Sequence, residues 1–242
     1  MIETGDGRPM LEGLRVIDMT SVVFGPYCTQ ILADFGAEVI KVEAPGGDGF
    51  RYAAKPAHSA GMGPAFMALN RGKKSLVLDL KQDGDKAALR DLLEGADAFI
   101  HNVRAEAIGR LGFDYDTVRG YAPNIIYAHC VGFGSGGPYS GLQAYDDVIQ
   151  AASGTCTLLP RADGDARPRY LPSLIADKVA GLHAAYAVMA AVIPTNPVPI
   201  IQSFSLSVTK SLMPDTKLVY AINSSFRFAS FTLRDFLRKT AP

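Results

Sequence analysis

The residues of this 242-residue chain that could do chemistry fall into a few groups, and their spacing excludes several reactions at once. Gly132-Phe-Gly134-Ser-Gly-Gly137 satisfies GxGxxG after an apolar run, a pattern that can cradle a dinucleotide pyrophosphate on a helix N-terminus. Pro138, Tyr139, Ser140 and Gly141 follow where that helix should open, and the run before it is the fifth strand-like segment rather than the first. The reading is therefore a glycine loop beside a site, not a dinucleotide fingerprint. His58, His101, His129 and His183 make no HxH, HExxH or Cys/His pair, so no metal site is expected. His101 and His129 lie in strand-like runs and read as satisfied sheet residues. Cys28, Cys130 and Cys156 lack CxxC spacing, sit in apolar stretches and read as reduced core thiols. No Gly-x-Ser-x-Gly element supports a serine hydrolase. Asp177 precedes a helical pattern running to about Ala191 and, taken alone, reads as a helix cap. Tyr145 reads as a helix-start aromatic packed on the sheet, with Asp146 and Asp147 complementing a helix dipole.

The elements that must position these groups follow from periodicity. Residues Leu14 to Met19, Glu38 to Glu43, Ser75 to Leu80, Ala96 to His101 and Asn124 to Val131 are short Val/Ile/Leu-rich runs that predict strands. Between them, Gly25 to Phe35, Pro64 to Leu69, Gly84 to Leu93 and Ala105 to Leu111 carry apolar residues at helical spacing. Strands separated by helix-length crossovers predict an α/β chain with an open, mostly parallel sheet and helices on both faces. Ligands in such sheets bind beyond the carboxyl ends of the strands, here the loops at 20–26, 44–51, 81, 102–104 and 132–138.

Composition narrows the partners. Twenty-four Lys and Arg balance 24 Asp and Glu, so neither nucleic-acid binding nor disorder is expected. The first nine residues lack the pattern of a secretion signal, and no run reaches about 18 apolar residues, which points to a cytoplasmic chain with no membrane partner. All 24 glycines lie at or before Gly181. The sequence therefore divides into a body, 10–191, and an unlike tail, 192–242, whose stretch 226–239 predicts a basic amphipathic helix.

Ordered blocks then carry a resemblance. Leu11-Glu-Gly-Leu-Arg-Val-Ile-Asp-Met-Thr20, Gly25-Pro26, Leu32-Ala-Asp-Phe-Gly-Ala-Glu-Val-Ile-Lys-Val-Glu43 and Asn70-Arg-Gly-Lys-Lys-Ser-Leu-Val-Leu-Asp-Leu-Lys81 open the series. Ala96-Asp-Ala-Phe-Ile-His-Asn-Val103, Gly109-Arg-Leu-Gly-Phe113, the glycine loop to Pro138, Ala144-Tyr-Asp-Asp147 and Leu174-Ile-Ala-Asp177 complete it. Together they resemble the class III CoA-transferase family, also called CaiB/BaiF, over about residues 10 to 191. The resemblance implies a Rossmann-like sheet, and subunits that form interlocked homodimers with a second, small domain. That small domain is expected to be missing here, with 192–242 a divergent or frameshifted end of a truncated chain.

The resemblance also implies an activity. CoA would move between an acyl-CoA thioester and a carboxylic acid, with no permanently bound cofactor and coenzyme A only as part of the substrate. Asp177 matches the family's nucleophile, which forms an acyl anhydride and then an aspartyl-CoA thioester. Tyr145 matches a position where the related 2-methylacyl-CoA racemases carry a basic histidine. A phenol with an ordinary pKa near 10 serves poorly in that role, so transferase is favoured over racemase. A non-catalytic, CoA-binding remnant is the third alternative. Family CoA contacts fall on Val23, Phe24, Leu78, Lys81, Asn102, Val103, Arg104, Arg110, Gln143, Ala144 and Tyr145. Val23 replaces a glutamine of formyl-CoA transferases and Ala44 an arginine that contacts phosphate, so Arg51, Arg71 or Lys73 is expected to supply the missing cation.

Overall fold

The computed structural model describes Gly5 and residues 7–56, 58–134 and 136–193, together with the paired segments Ser205–Leu206 and Ile222–Asn223. The helix predicted within 226–239 lies outside the described residues. The body runs β1 (Arg15–Met19), α1 (Phe24–Asp34), β2 (Glu38–Glu43), α2 (Pro64–Asn70), β3 (Lys74–Val77), α3 (Asp83–Glu94) and β4 (Ala98–His101). It continues through α4 (Ala105–Leu111), α5 (Tyr115–Tyr121), β5 (Ile126–His129), α6 (Asp146–Ala152), α7 (Leu158–Ala162) and α8 (Ile175–Val192).

The five strands form one sheet in the order β3-β2-β1-β4-β5, with every pairing parallel. Side chains of a strand alternate between faces, and both faces are apolar because both are covered. Val16, Val39, Ala98, Ile100 and Ala128 pack with Cys28 and Leu32 of α1 and Ala184, Ala185 and Val188 of α8. Ile17, Val42, Phe99 and Tyr127 pack with Leu89 and Leu93 of α3, Ile108 of α4 and Val118 of α5. Helices therefore cover both faces. The chain order reverses at the β1/β4 neighbours, the place where sheets of this kind receive ligands.

β3 and α5 differ from their sequence outlines, and the short α7 was not outlined at all. The edge strand β3 stops at Val77, because the chain turns away where the Asp79 amide donates to Asp85 Oδ2 at 2.7 Å. α5 was not anticipated: only Val118 of its seven residues is buried, too little for a period to register. Its start is fixed locally by Asp114, which accepts from the Thr117 amide at 3.1 Å. Cys28 and Cys130 are core thiols as expected, whereas Cys156 is only half-buried in a 3₁₀ turn.

α8 is long and apolar enough to span a membrane by length and composition, yet one side of it is core. Gly181 makes its approach to α1 possible. A Cβ there would stand 2.8 Å from the Phe24 carbonyl oxygen and 3.0 Å from Tyr27 Cδ1. Val179, Leu182 and Tyr186 on α8 are exposed.

Charged residues inside β1 and β2 hold the carboxyl ends of the strands together. Asp18 is fully buried and accepts from the Thr20 and Thr29 hydroxyls and, at 2.9 Å, from Lys73 Nζ. Lys73 also donates to Pro26 O at 3.0 Å and Asn70 Oδ1 at 2.8 Å, so its three protons are used. Lys41 donates to Thr20 O at 2.7 Å and lies 3.3 Å from Asp48. Burial alone would raise the Asp18 pKa, but Lys73, Lys41 and the two hydroxyls outweigh it and hold the carboxyl down at about 2. The stability this confers is present above the unfolded carboxylate range and is lost as pH falls toward 2. Replacing Asp18 with Ala strands a buried ammonium and is expected to cost about 3–5 kcal/mol in chemical denaturation. A loss below about 1 kcal/mol, the value of an exposed pair, would contradict this account.

Candidate functional site

The first turns of α6 and α8 meet each other, and α8 then runs against α1 and β5. Asp177 occupies the third position of α8, whose N-cap is Leu174, so its side chain is not the cap. Its amide donates to Asp146 Oδ1 at 3.1 Å. Asp146, at the start of α6 and 6% exposed, also accepts from Gln150 Nε2 at 2.6 Å. Gln150 in turn donates to Ser173 O at 3.1 Å and accepts from the Leu171 amide at 2.9 Å. One carboxylate and one amide thus fasten the chain entering α8 to α6.

The Asp177 carboxylate itself is half-buried and accepts no hydrogen bond among the described residues. A helix N-terminus favours negative charge, but here burial first and the negative charge of Asp146 second push the pKa up to about 6. A desolvated carboxylate with no donors is a stronger nucleophile than one wrapped in water. At neutral pH it is still largely ionised.

The other expected site residues are held by contacts of their own. Tyr145 is the N-cap of α6, 58% exposed, with its hydroxyl paired to Gln143 Nε2. It faces outward rather than packing on the sheet, a correction to the sequence reading. Ala144 lies against the glycine loop so closely that a Cβ on Gly132 would fall 2.2 Å from its own. Gly132 therefore serves packing, and the chain runs from it through turns to α6 rather than opening a helix at once. Phe24, partly buried at the start of α1, touches α8 at Gly181, one turn beyond Asp177. Asn102 follows β4 and grips Ser21 after β1: its Oδ1 accepts from the Ser21 amide at 3.0 Å and its Nδ2 donates to Ser21 O at 2.9 Å.

Not every expected contact is available as a side chain. Val23 and Leu78 are buried, Leu78 in the cluster under α3, so these two positions can offer a ligand only backbone. Val103 is half-buried against the same cluster, and its carbonyl is taken by His129 Nε2 at 2.8 Å. Lys81, Arg104 and Arg110 are exposed and make no side-chain ion pair or hydrogen bond among the described residues, which leaves them free for anions. Of the substitute cations, Lys73 is consumed by Asp18, a correction that burial explains. Arg51 is held by Glu43, with Nε 2.8 Å from Oε1, and stacks on Phe66; Arg71 pairs with Asp34 at 2.6 Å.

The histidine reading also needs amendment. His101 Nε2 pairs with the Tyr127 hydroxyl at 2.8 Å, and that hydroxyl donates to Phe113 O at 2.9 Å, but buried His101 Nδ1 has no partner among the described residues. His101 stacks on His129 at 4.4 Å, and burial, then His129, pushes its pKa well down. Sequence reasoning missed Asp146, Gln150 and Asp48 as positioning groups. The signal for Asp18 and Lys41 was present, since a charge inside a strand covered on both faces must find a partner.

Known proteins can now be set beside this geometry. Residues 11–197 match the model of CoA-transferase family III. The succinate–glutarate CoA-transferase of Agrobacterium fabrum is 37% identical over 199 residues, 80% of this chain and 49% of that protein. The acetyl-CoA:oxalate CoA-transferase of Acetobacter aceti is 40% identical over 167 residues, 68% of this chain and 42% of that protein. The crystal structure of a CaiB/BaiF family protein from Brucella suis superposes with a TM-score of 0.71 at 34% identity, covering 76% of this chain and 49% of that one. The chain belongs to CoA-transferase family III. It spans about half the length of the curated relatives it matches.

The raised Asp177 pKa is directly measurable. A carbon-detected NMR titration is expected to give a midpoint of about 6 for Asp177. Asp146→Asn keeps an oxygen for the Asp177 amide but removes the charge, so the midpoint should move down. A midpoint in the ordinary range near 3.8 in the unaltered chain would contradict the site's electrostatics.

Proposed function

We propose that this chain carries the nucleophile and a coenzyme A crevice of a CoA-transferase that moves CoA between an acyl-CoA thioester and a carboxylic acid. The observation that carries this reading is the Asp177 carboxylate: half-buried, without hydrogen-bond donors among the described residues, beside Asp146, on the first turn of a helix packed against α1. In the proposed sequence an Asp177 oxygen attacks the thioester carbonyl, the carbon–sulfur bond breaks, and a mixed anhydride forms as CoA leaves as its thiolate. The thiolate returns to the Asp177 carbonyl, giving an aspartyl-CoA thioester and releasing the first acid. An acceptor carboxylate then reverses the two steps and restores the aspartate.

Lys81, Arg104 and Arg110 are proposed to meet the phosphates of CoA, each charge-assisted contact contributing about 1.5–3 kcal/mol before desolvation. The exposed Tyr145 and the backbone of Ala144 would border the thioester end. The names of both curated relatives pair CoA with carboxylic acids, which supports the substrate class and assigns no particular acid.

Incubation with an acyl-CoA and hydroxylamine tests the nucleophile. Hydroxylamine intercepts an activated carboxyl, so peptide mass spectrometry is expected to find a hydroxamate at Asp177 and none in Asp177→Ala. Trapping should weaken as pH falls through about 6, since protonation removes the attacking anion. An unmodified Asp177 in a folded sample that binds CoA would refute the assignment.

A further inference from the structure

The loop from β1 to α1 is held in a conformation its sequence does not favour. Val22 has φ 72°, the single non-glycine residue with positive φ among those described. For a β-branched side chain this left-handed region is crowded, and a residue stays there only when its surroundings over-determine it. No regular element supplies that restraint; side chains do. Thr20 O accepts from Lys41, and both polar groups of the Ser21 backbone are taken by Asn102. The Val22 amide points between the two oxygens of the buried Asp48 carboxylate, at 3.3 Å from each. Asp48 is held in turn by Lys41 at 3.3 Å and by the Phe50 amide at 2.9 Å.

The strain has a geometric result. Turning left at Val22 lets the chain leave β1 and enter α1 within four residues, and brings the Phe24 carbonyl against Gly181 of α8. The same loop faces Asn102 across the β1/β4 switch point, the crevice in which a nucleotide-bearing ligand would lie.

We propose that Asp48 is a positioning residue that holds Val22 in its left-handed turn, so that the loop from Ser21 to Phe24 forms a fixed wall of the coenzyme A crevice. This rests on the CoA-transferase reading for the ligand, but the restraint itself is independent of it. Asp48 touches no ligand in this account; it acts through the Val22 amide. Without it, Val22 relaxes to an ordinary backbone region and the crevice-competent loop becomes a minor state. Apparent affinity falls by the fraction that remains.

The experiment compares the unaltered chain with Asp48→Ala, Val22→Gly and the double variant. Two quantities are read: hydrogen exchange of the amides from Val22 to Phe24, and binding of coenzyme A by calorimetry. Asp48→Ala, which removes both acceptor oxygens, is expected to expose the Val22 amide and to weaken coenzyme A binding by about tenfold, the population cost of left-handed strain. In the Val22→Gly background the turn costs little, so the same Asp48 change should weaken binding by less than about threefold. Val22→Gly alone should raise the melting temperature by about 2–4 °C. If Asp48→Ala fails to fold, Asp48→Ala combined with Lys41→Met, which also removes the ammonium that the first change strands, replaces it in both backgrounds.

Equal weakening in both backgrounds would overturn the proposal, as would an unchanged Val22 amide in Asp48→Ala or a lowered melting temperature in Val22→Gly. If the unaltered chain gives no heat with coenzyme A, the ligand reading fails by itself. The exchange measurement then still decides whether Asp48 holds the turn.

Discussion

The hydrogen bond from the Asp177 amide to the Asp146 carboxylate is the contact on which the rest of the site depends. It fixes where α8 begins, and with it the place of a side chain that has lost much of its water and gained no donor. Two carboxylates close together in a partly dry site would ordinarily repel. Here Asp146 is hydrogen-bonded by the Asp177 backbone and by Gln150, while burial first and the Asp146 charge second raise the proton affinity of Asp177. Geometry and electrostatics come from one interaction.

A second layer supports the first. The Asp18, Lys73, Lys41 and Asp48 network ties the carboxyl ends of β1 and β2 to the residues around α1, and α1 is the surface on which α8 seats through Gly181. Buried charges of this kind are costly to desolvate and are tolerated only when fully paired. Their pairing fixes the register of loops that carry no regular structure. Consequently the cations buried here are structural, whereas the exposed Lys81, Arg104 and Arg110, at helix starts and ends, make no side-chain ion pair among the described residues.

Much of this was legible in the sequence, for identifiable reasons. Continuous apolar runs mark β1, β2, β4 and β5, because a parallel sheet covered on both faces needs apolar side chains at successive positions. α1 to α4 were visible through helical spacing. α5 was not, since it buries a single residue, and β3 was overextended because an edge strand lacks a second neighbour to mark its end. The ordered blocks located Asp177 but not what governs it. Asp146 is 31 residues away, and nothing local distinguishes it from an aspartate that merely complements a helix dipole. For the same reason Lys73 was legible as a cation but not as a buried one, and Val23 and Leu78 as positions but not as inward-facing side chains.

The central claim is that an oxygen of Asp177 takes the acyl group that sulfur gives up, and isotope transfer tests it most directly. After one turnover with an acceptor acid labelled with heavy oxygen at its carboxylate, the account predicts one labelled oxygen in the Asp177 carboxyl, located by peptide mass spectrometry. Completed transfer of CoA that leaves Asp177 unlabelled, with label on another carboxylate or on none, would contradict it.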